Sequence, residues 1–165
     1  MRKVAVIGAA GRMGKRLVSL IMKSESLELS GALEAPGNPS LGQDAGMAAG
    51  EGMSGVKITD SLKTALAGAD AMIDFSTGDA AANAKIASSM GISCVIGTTA
   101  LGEAGKTELA KIAKAGGKIV FSSNMSTGVN LLFKLCEEPV HDLLVKVLSS
   151  QVSVPSSGFN LNGVG

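Results

Sequence analysis

A short apolar run that ends in three evenly spaced glycines constrains this chain more than any other feature. Val4-Ala5-Val6-Ile7 has no polar break, which is the pattern of a strand covered on both faces. Gly8-Ala9-Ala10-Gly11-Arg12-Met13-Gly14 follows directly, and Met13, Leu17, Leu20 and Ile21 then keep helical spacing. Each glycine has a physical task in such a strand-turn-helix unit. Gly8 permits a tight turn, Gly11 lets the backbone approach a pyrophosphate, and Gly14 lets the helix pack close against the sheet. The helix start offers unpaired N–H groups and a partial positive charge to phosphates.

The same alternation organises most of the chain. Leu27 to Glu34 reads as a second strand. Residues 35–57, with Pro36, Pro39 and six glycines, read as a long loop, functional or mobile. Asp60 or Ser61 is placed to cap a helix carrying Leu62, Leu66 and Ala69. Ala71 to Phe75 is a third strand, and Thr77 to Met90 an alanine-rich helix with Thr77 favoured as its cap. Ile92 to Ile96, Glu103 to Ala115 and Lys118 to Phe121 give strand, helix and strand. Val129, Leu132, Phe133 and Cys136 mark one face of a further helix. Strand-helix alternation of this kind predicts an α/β fold, a doubly wound parallel sheet with helices on both faces.

Glu34 adds to the glycine motif. It ends the second strand, where an acid accepts hydrogen bonds from ribose hydroxyls, so loop and acid together predict dinucleotide binding. Ala35 and Pro36 follow it rather than Arg or Lys, which disfavours a 2′-phosphate and leans towards NADH over NADPH. Arg12 and Lys15 lie near enough to soften that preference. Three further strand ends carry small polar residues: Asp74 to Thr77, Gly97-Thr98-Thr99, and Ser122-Ser123-Asn124-Met125. Ligands bind outside the carboxyl ends of strands in open parallel sheets, so these clusters read as cofactor contacts or as caps and turns. Ser126 to Asn130 opens a helix that serves as an anion site or a simple cap.

Composition excludes several classes. The 165 residues suit one domain, or one domain plus a fragment. Tyr is absent, which removes a Tyr-Lys catalytic pair. The single histidine, His141, argues against a His-rich metal site and reads as a surface residue. A net charge of +1 with four Phe as the only aromatics gives no footprint for nucleic acid or an anionic membrane. No apolar stretch reaches the ~18 residues of a membrane span, and no signal peptide is visible, so a cytoplasmic protein is expected. Cys94 and Cys136 read as buried small hydrophobes, and the eight methionines as core filler.

Five ordered motifs then resemble one family. Val-Ile-Gly-Ala-Ala-Gly-Arg-Met-Gly (6–14), Gly-Ala-Leu-Glu (31–34), Ile-Asp-Phe-Ser (73–76), Val-Ile-Gly-Thr-Thr (95–99) and Ser-Asn-Met-Ser-Thr-Gly-Val-Asn (123–130) are similar to the 4-hydroxy-tetrahydrodipicolinate (dihydrodipicolinate) reductases of lysine and diaminopimelate biosynthesis. The resemblance covers residues 1–138 and implies a Rossmann-like domain that binds NADH or NADPH. It implies pyrophosphate contacts from Gly8, Ala9, Ala10, Gly11, Arg12 and Met13, with Gly14 completing the motif, and a ribose contact from Glu34. Gly97, Thr98 and Thr99 are implied along the nicotinamide side, with Ser122, Ser123, Asn124 and Met125 completing the pocket. Met125 departs from the family's usual aromatic, which removes ring stacking there.

The family reaction is hydride transfer to a cyclic imine-type dicarboxylate. Its second domain binds this substrate through a His-His-Arg segment and a Lys, and builds a homotetramer. Residues 139–165 match none of this: Lys146 has no such neighbours, and the segment reads as a divergent helix over Val140 to Leu148 followed by a flexible tail. The expectation is a cofactor domain whose substrate and tetramerisation domain is missing, through truncation or frameshift near Pro139. Such a chain binds cofactor and carries no catalytic residue, or it is a non-catalytic dinucleotide module or redox sensor, or it completes its site with another chain.

Overall fold

A computed structural model of the chain describes residues 1–130. Met1–Met125 forms one compact unit, and Ser126 onward belongs to a second. Within the first, six parallel strands form one sheet. In chain order the elements are β1 (Arg2–Ile7), α1 (Arg12–Met22), β2 (Leu27–Leu33), α2 (Ala45–Ala49), β3 (Ile58–Thr59), α3 (Leu62–Leu66), β4 (Ala71–Asp74), α4 (Ala80–Ser89), β5 (Ser93–Ile96), α5 (Glu103–Lys114) and β6 (Ile119–Phe121). The strand order is β3-β2-β1-β4-β5-β6.

That order follows from the alternation in β1. Ala5 and Ile7 pack into one core with Leu66, Met72, the α4 alanines and Leu109 of α5. Val4 and Val6 pack into the other, with Val18 and Ile21 of α1, Ala45 of α2 and Ile58. Both faces of β1 are therefore buried, and each fully buried Val or Ile side chain contributes about 1.5–3 kcal/mol. Right-handed crossovers place α1 and α2 on one face and α3, α4 and α5 on the other. The winding reverses between β1 and β4, and this switch point opens a crevice at the carboxyl ends of the strands.

Several expectations need correction. In α1 the buried residues are Gly14, Val18, Ser19 and Ile21, whereas Met13 and Leu20 are about half exposed. The apolar spacing misled because Gly14, with no side chain, faces the interior. The methionines are not chiefly core: Met72 is fully buried, but Met1, Met13, Met47, Met53, Met90 and Met125 are exposed. The α4 helix starts at Ala80, later than expected, and its cap is Asp79, whose Oδ1 accepts from Ala82 N at 2.9 Å, rather than Thr77. Ser61 Oγ caps α3 by accepting from Thr64 N. Cys94 is buried as expected, and burial pushes its thiol pKa up, keeping it protonated. Leu132, Phe133 and Cys136 of the expected helix, the boundary at 138, His141, Lys146 and the tail all lie outside the described residues.

The 35–57 segment is more ordered than its composition suggests. Asp44 organises it. Its carboxylate accepts from the N–H groups of Gly46, Met47, Ser54 and Gly55 and from Ser54 Oγ, at 2.7–3.1 Å. This caps α2 and folds the following turn back onto it. Ser54 N–H foremost, with the other donors, lowers the Asp44 pKa from 3.8 to about 2. Glu51 accepts from Lys23 Nζ and Ser19 Oγ, both at 2.6 Å, and so ties the segment to α1; its pKa is lowered, chiefly by Lys23.

A carboxyl with a depressed folded-state pKa stabilises the fold above its unfolded pKa, and that contribution fades as pH falls through the folded value. Stability from Asp44 is therefore complete above about pH 4 and lost progressively towards about pH 2. Asp44→Asn should lower the urea midpoint at pH 6 and flatten this part of the acid dependence. Parallel pH profiles for the variant and the native sequence would contradict the assignment.

Candidate cofactor site

The turn after β1 is built by close backbone approach. Gly8 adopts φ +79°, a left-handed conformation that L side chains rarely take. A Cβ on Gly14 would overlap the Gly8 carbonyl oxygen and crowd the Ala9 backbone. Gly14 therefore lets α1 close onto the turn itself, a nearer partner than the sheet. The Gly8 and Ala9 N–H groups both donate to Leu33 O, at 2.9 and 3.0 Å, and Gly11 N–H donates to Gly8 O at 3.1 Å. Gly11 sits at the N-cap and supplies no side-chain cap. The N–H groups of Arg12, Met13 and Gly14, in the first turn of α1, have no partner among the described residues. Three open donors at a helix start form a site for an anion such as a phosphate.

Glu34 stands beside this turn. Its Oε1 accepts from Ala10 N at 2.8 Å, and its Oε2 accepts from Ala35 N and Asn38 Nδ2 at 3.2 and 3.3 Å. Asn38 is itself fixed, because its Oδ1 accepts from Ser40 N at 2.9 Å. The carboxylate is thus held at the end of β2 before any ligand arrives.

A cavity of about 440 Å³ takes in Gly8, Gly11 and Glu34, while Arg12, Met13 and Gly14 lie outside its lining. Gly8 and Gly11 form its edge, Glu34, Ala35 and Pro36 one wall, Asp60 and Leu62 another, and the segment from Phe75 to Asp79 with Asn83 the far side. Among the described residues no Lys or Arg lines it. It lies at the β1/β4 switch point, where ligands of doubly wound sheets bind.

The far side is shaped by Asp74, a residue that sequence reasoning placed only within a polar strand end. Asp74 is fully buried. Its Oδ1 accepts from Ser76 N and its Oδ2 from Asn83 Nδ2, both at 2.9 Å. These bonds hold the β4–α4 turn against α4. Asn83 and Asp60 were not singled out as cofactor residues either. The available signal was their position, one just past a strand and the other one turn into the next helix.

The other expected residues lie along the same carboxyl edge, outside the cavity. Gly97 N–H donates to Asp74 O at 2.9 Å. Thr98 is buried, and its Oγ1 accepts from Ala100 N at 3.1 Å; Thr99 is exposed. Ser122 Oγ donates to Asn124 O at 2.6 Å and accepts from Asn124 N, while Ser123 and Met125 are exposed. In the second unit, Ser126 Oγ accepts from Val129 N at 3.4 Å, the bond of a helix cap. Among the described residues no His, Cys, Asp and Glu group is arranged to hold a metal. No helix among them is long and apolar enough to cross a membrane.

Comparison with known proteins agrees with this geometry. The family described as "Dihydrodipicolinate reductase, N-terminus" matches residues 2–125. The chain belongs to this family. It is 50% identical over 135 residues to the 4-hydroxy-tetrahydrodipicolinate reductase of Cupriavidus pinatubonensis, covering 81% of this chain and 50% of that protein. It is 47% identical over 141 residues to the reductase of the same name from an Anaeromyxobacter species, covering 84% and 51%. The chain therefore spans about half the length of the curated relatives it matches. The solved dihydrodipicolinate reductase of Paenisporosarcina sp. TG-14 superposes with a TM-score of 0.55 at 20% identity, over 70% of this chain and 44% of that one, which supports the fold.

Two substitutions test the construction of the site. Asn83→Ala leaves Asp74 Oδ2 buried without a donor and should cost about 1–3 kcal/mol in chemical denaturation. A cost within about 0.3 kcal/mol would show the bond to be dispensable. Gly14→Val forces α1 off the turn and should abolish binding to immobilised ADP while the far-ultraviolet spectrum still reports a folded sheet. Retained binding would refute the placement.

Proposed function

We propose that this chain supplies the NAD(P)H-binding part of a 4-hydroxy-tetrahydrodipicolinate reductase, with NADH preferred. We propose further that residues 1–138 are that domain, and that the 165 residues bind cofactor without completing reduction. One observation carries the reading. Gly8 and Gly11, which lead into the open first turn of α1, line one cavity at the switch point of the sheet together with the pre-positioned Glu34. Membership of the family supplies the chemistry.

The residues fit the adenosine diphosphate half of such a cofactor. Phosphate oxygens would accept from the N–H groups of Arg12, Met13 and Gly14, with the Arg12 side chain beside them. Gly8 and Gly11 carry no Cβ to block that approach. Ribose hydroxyls would donate to Glu34. Gly97 to Thr99 and Ser122 to Met125 end the next two strands on the same edge, each about 4.8 Å further along, and would flank the nicotinamide half. The bound cofactor supplies a hydride to a small cyclic dicarboxylate imine.

Reduction of that substrate also requires cationic anchors for two carboxylates and a proton donor for nitrogen. Among the described residues the cavity carries Glu34, Asp60 and Asp79 and no Lys or Arg. Without such groups, reduction should be slowed on the order of 10³-fold or more. The same observation favours a second reading, a non-catalytic dinucleotide-binding module. Titration of NADH fluorescence, then addition of substrate with absorbance monitored, tests both. Binding without oxidation of NADH is expected. Clear turnover would overturn the claim of incompleteness, and no binding would overturn the cofactor reading.

A further inference from the structure

The wall opposite the glycine turn carries a second acid next to Glu34. Strands β2 and β3 pair in parallel with Leu33 opposite Thr59, and Glu34 N–H donates to Thr59 O at 2.9 Å. Glu34 and Asp60 are each the next residue along, so the two acids follow the ends of adjacent strands spaced about 4.8 Å apart. Both line the cavity. They differ in their engagement. Glu34 is held by three donors, whereas the Asp60 carboxylate has no hydrogen-bond or ion-pair partner among the described residues. The helix that follows is capped by Ser61, so Asp60 is not needed for that task.

We infer that Asp60 is a specificity-determining residue that selects a ribose with a free 2′-hydroxyl over one bearing a 2′-phosphate. This rests on the cofactor reading above and adds a residue to it. A ribose held by Glu34 has its hydroxyls against the wall made by Ala35, Pro36, Asp60 and Leu62. A 2′-phosphate placed there adds a charge of about −1.5 to −2. The wall gives it no cation, and its one charge is the Asp60 carboxylate. Ala35, where a basic residue would neutralise a phosphate, is apolar and exposed. The Asn38 amide nitrogen donates to Glu34 and its Oδ1 accepts from Ser40 N, and Asn38 does not line the cavity. Two carboxylates therefore act on the phosphate, and one of them, Asp60, does no other work.

The experiment compares the dissociation constants of NADH and NADPH for the full chain, by quenching or enhancement of nicotinamide fluorescence. The variants are Asp60→Asn and Asp60→Ser. The native chain should bind NADH more tightly. Each variant should reduce the NADPH-to-NADH ratio of dissociation constants by about threefold or more, the scale of one charge interaction at several ångströms near a surface. Raising NaCl from about 0.05 to 0.5 M should shrink the native ratio more than the variants' ratios, because screening acts only on the charge that remains. A purely structural role for Asp60 would shift both affinities together and leave the salt response intact. A ratio unchanged in both variants, with NADH still bound, overturns the assignment. Failure of the native chain to bind either nucleotide overturns the cofactor reading and this inference with it.

Discussion

The carboxyl edge of the sheet depends on how closely α1 approaches the end of β1. The Gly8 carbonyl lies where a Gly14 side chain would be, so the first turn of the helix sits directly on the strand-to-helix turn. That approach brings the Gly8 and Ala9 N–H groups onto one acceptor, Leu33 O, and fixes the end of β2 beside the turn. With β2 fixed, Glu34 reaches Ala10 N–H and the cavity acquires its acid wall. A methyl group at position 14 would disturb all of these together, although the helix could keep its buried Val18 and Ile21.

Charge gives this edge its second character. The helix start presents positive partial charge, and the surrounding walls present carboxylates. Open N–H donors lie at the glycine turn with Glu34 beside it, and Asp60 lies one strand further out, at the end of β3. An extended ligand with a phosphate centre and hydroxyl-bearing sugars matches that arrangement.

Five of the six strands, the glycine turn and Glu34 were legible because each follows from a local rule, whereas the two-residue β3 gave no such signal. Continuous apolar residues mark a strand buried on both faces, as Val4 to Ile7 are. The misreadings share a cause as well. In α1, Gly14 and Ser19 occupy the buried face, so a count of apolar side chains rotates the helix away from its true orientation. Asp79 caps α4 in place of Thr77 because the β4–α4 turn is drawn in by Asp74, whose partner Asn83 is nine residues away. Asp60 was noticed only as a cap candidate, since its neighbour Glu34 is 26 positions earlier and only the register of β2 and β3 joins them. Long-range pairing of this kind leaves no local trace in composition.

The 35–57 segment has the composition of a floppy connection, yet one carboxylate holds its centre. Asp44 gathers four backbone N–H groups and a hydroxyl, Glu51 ties the segment to α1, and backbone bonds such as Ala45 N–H to Val56 O close it. A structure latched in this way opens as a unit. Its amides, from Gly46 to Gly55, should therefore share one opening free energy in hydrogen exchange, below that of the sheet.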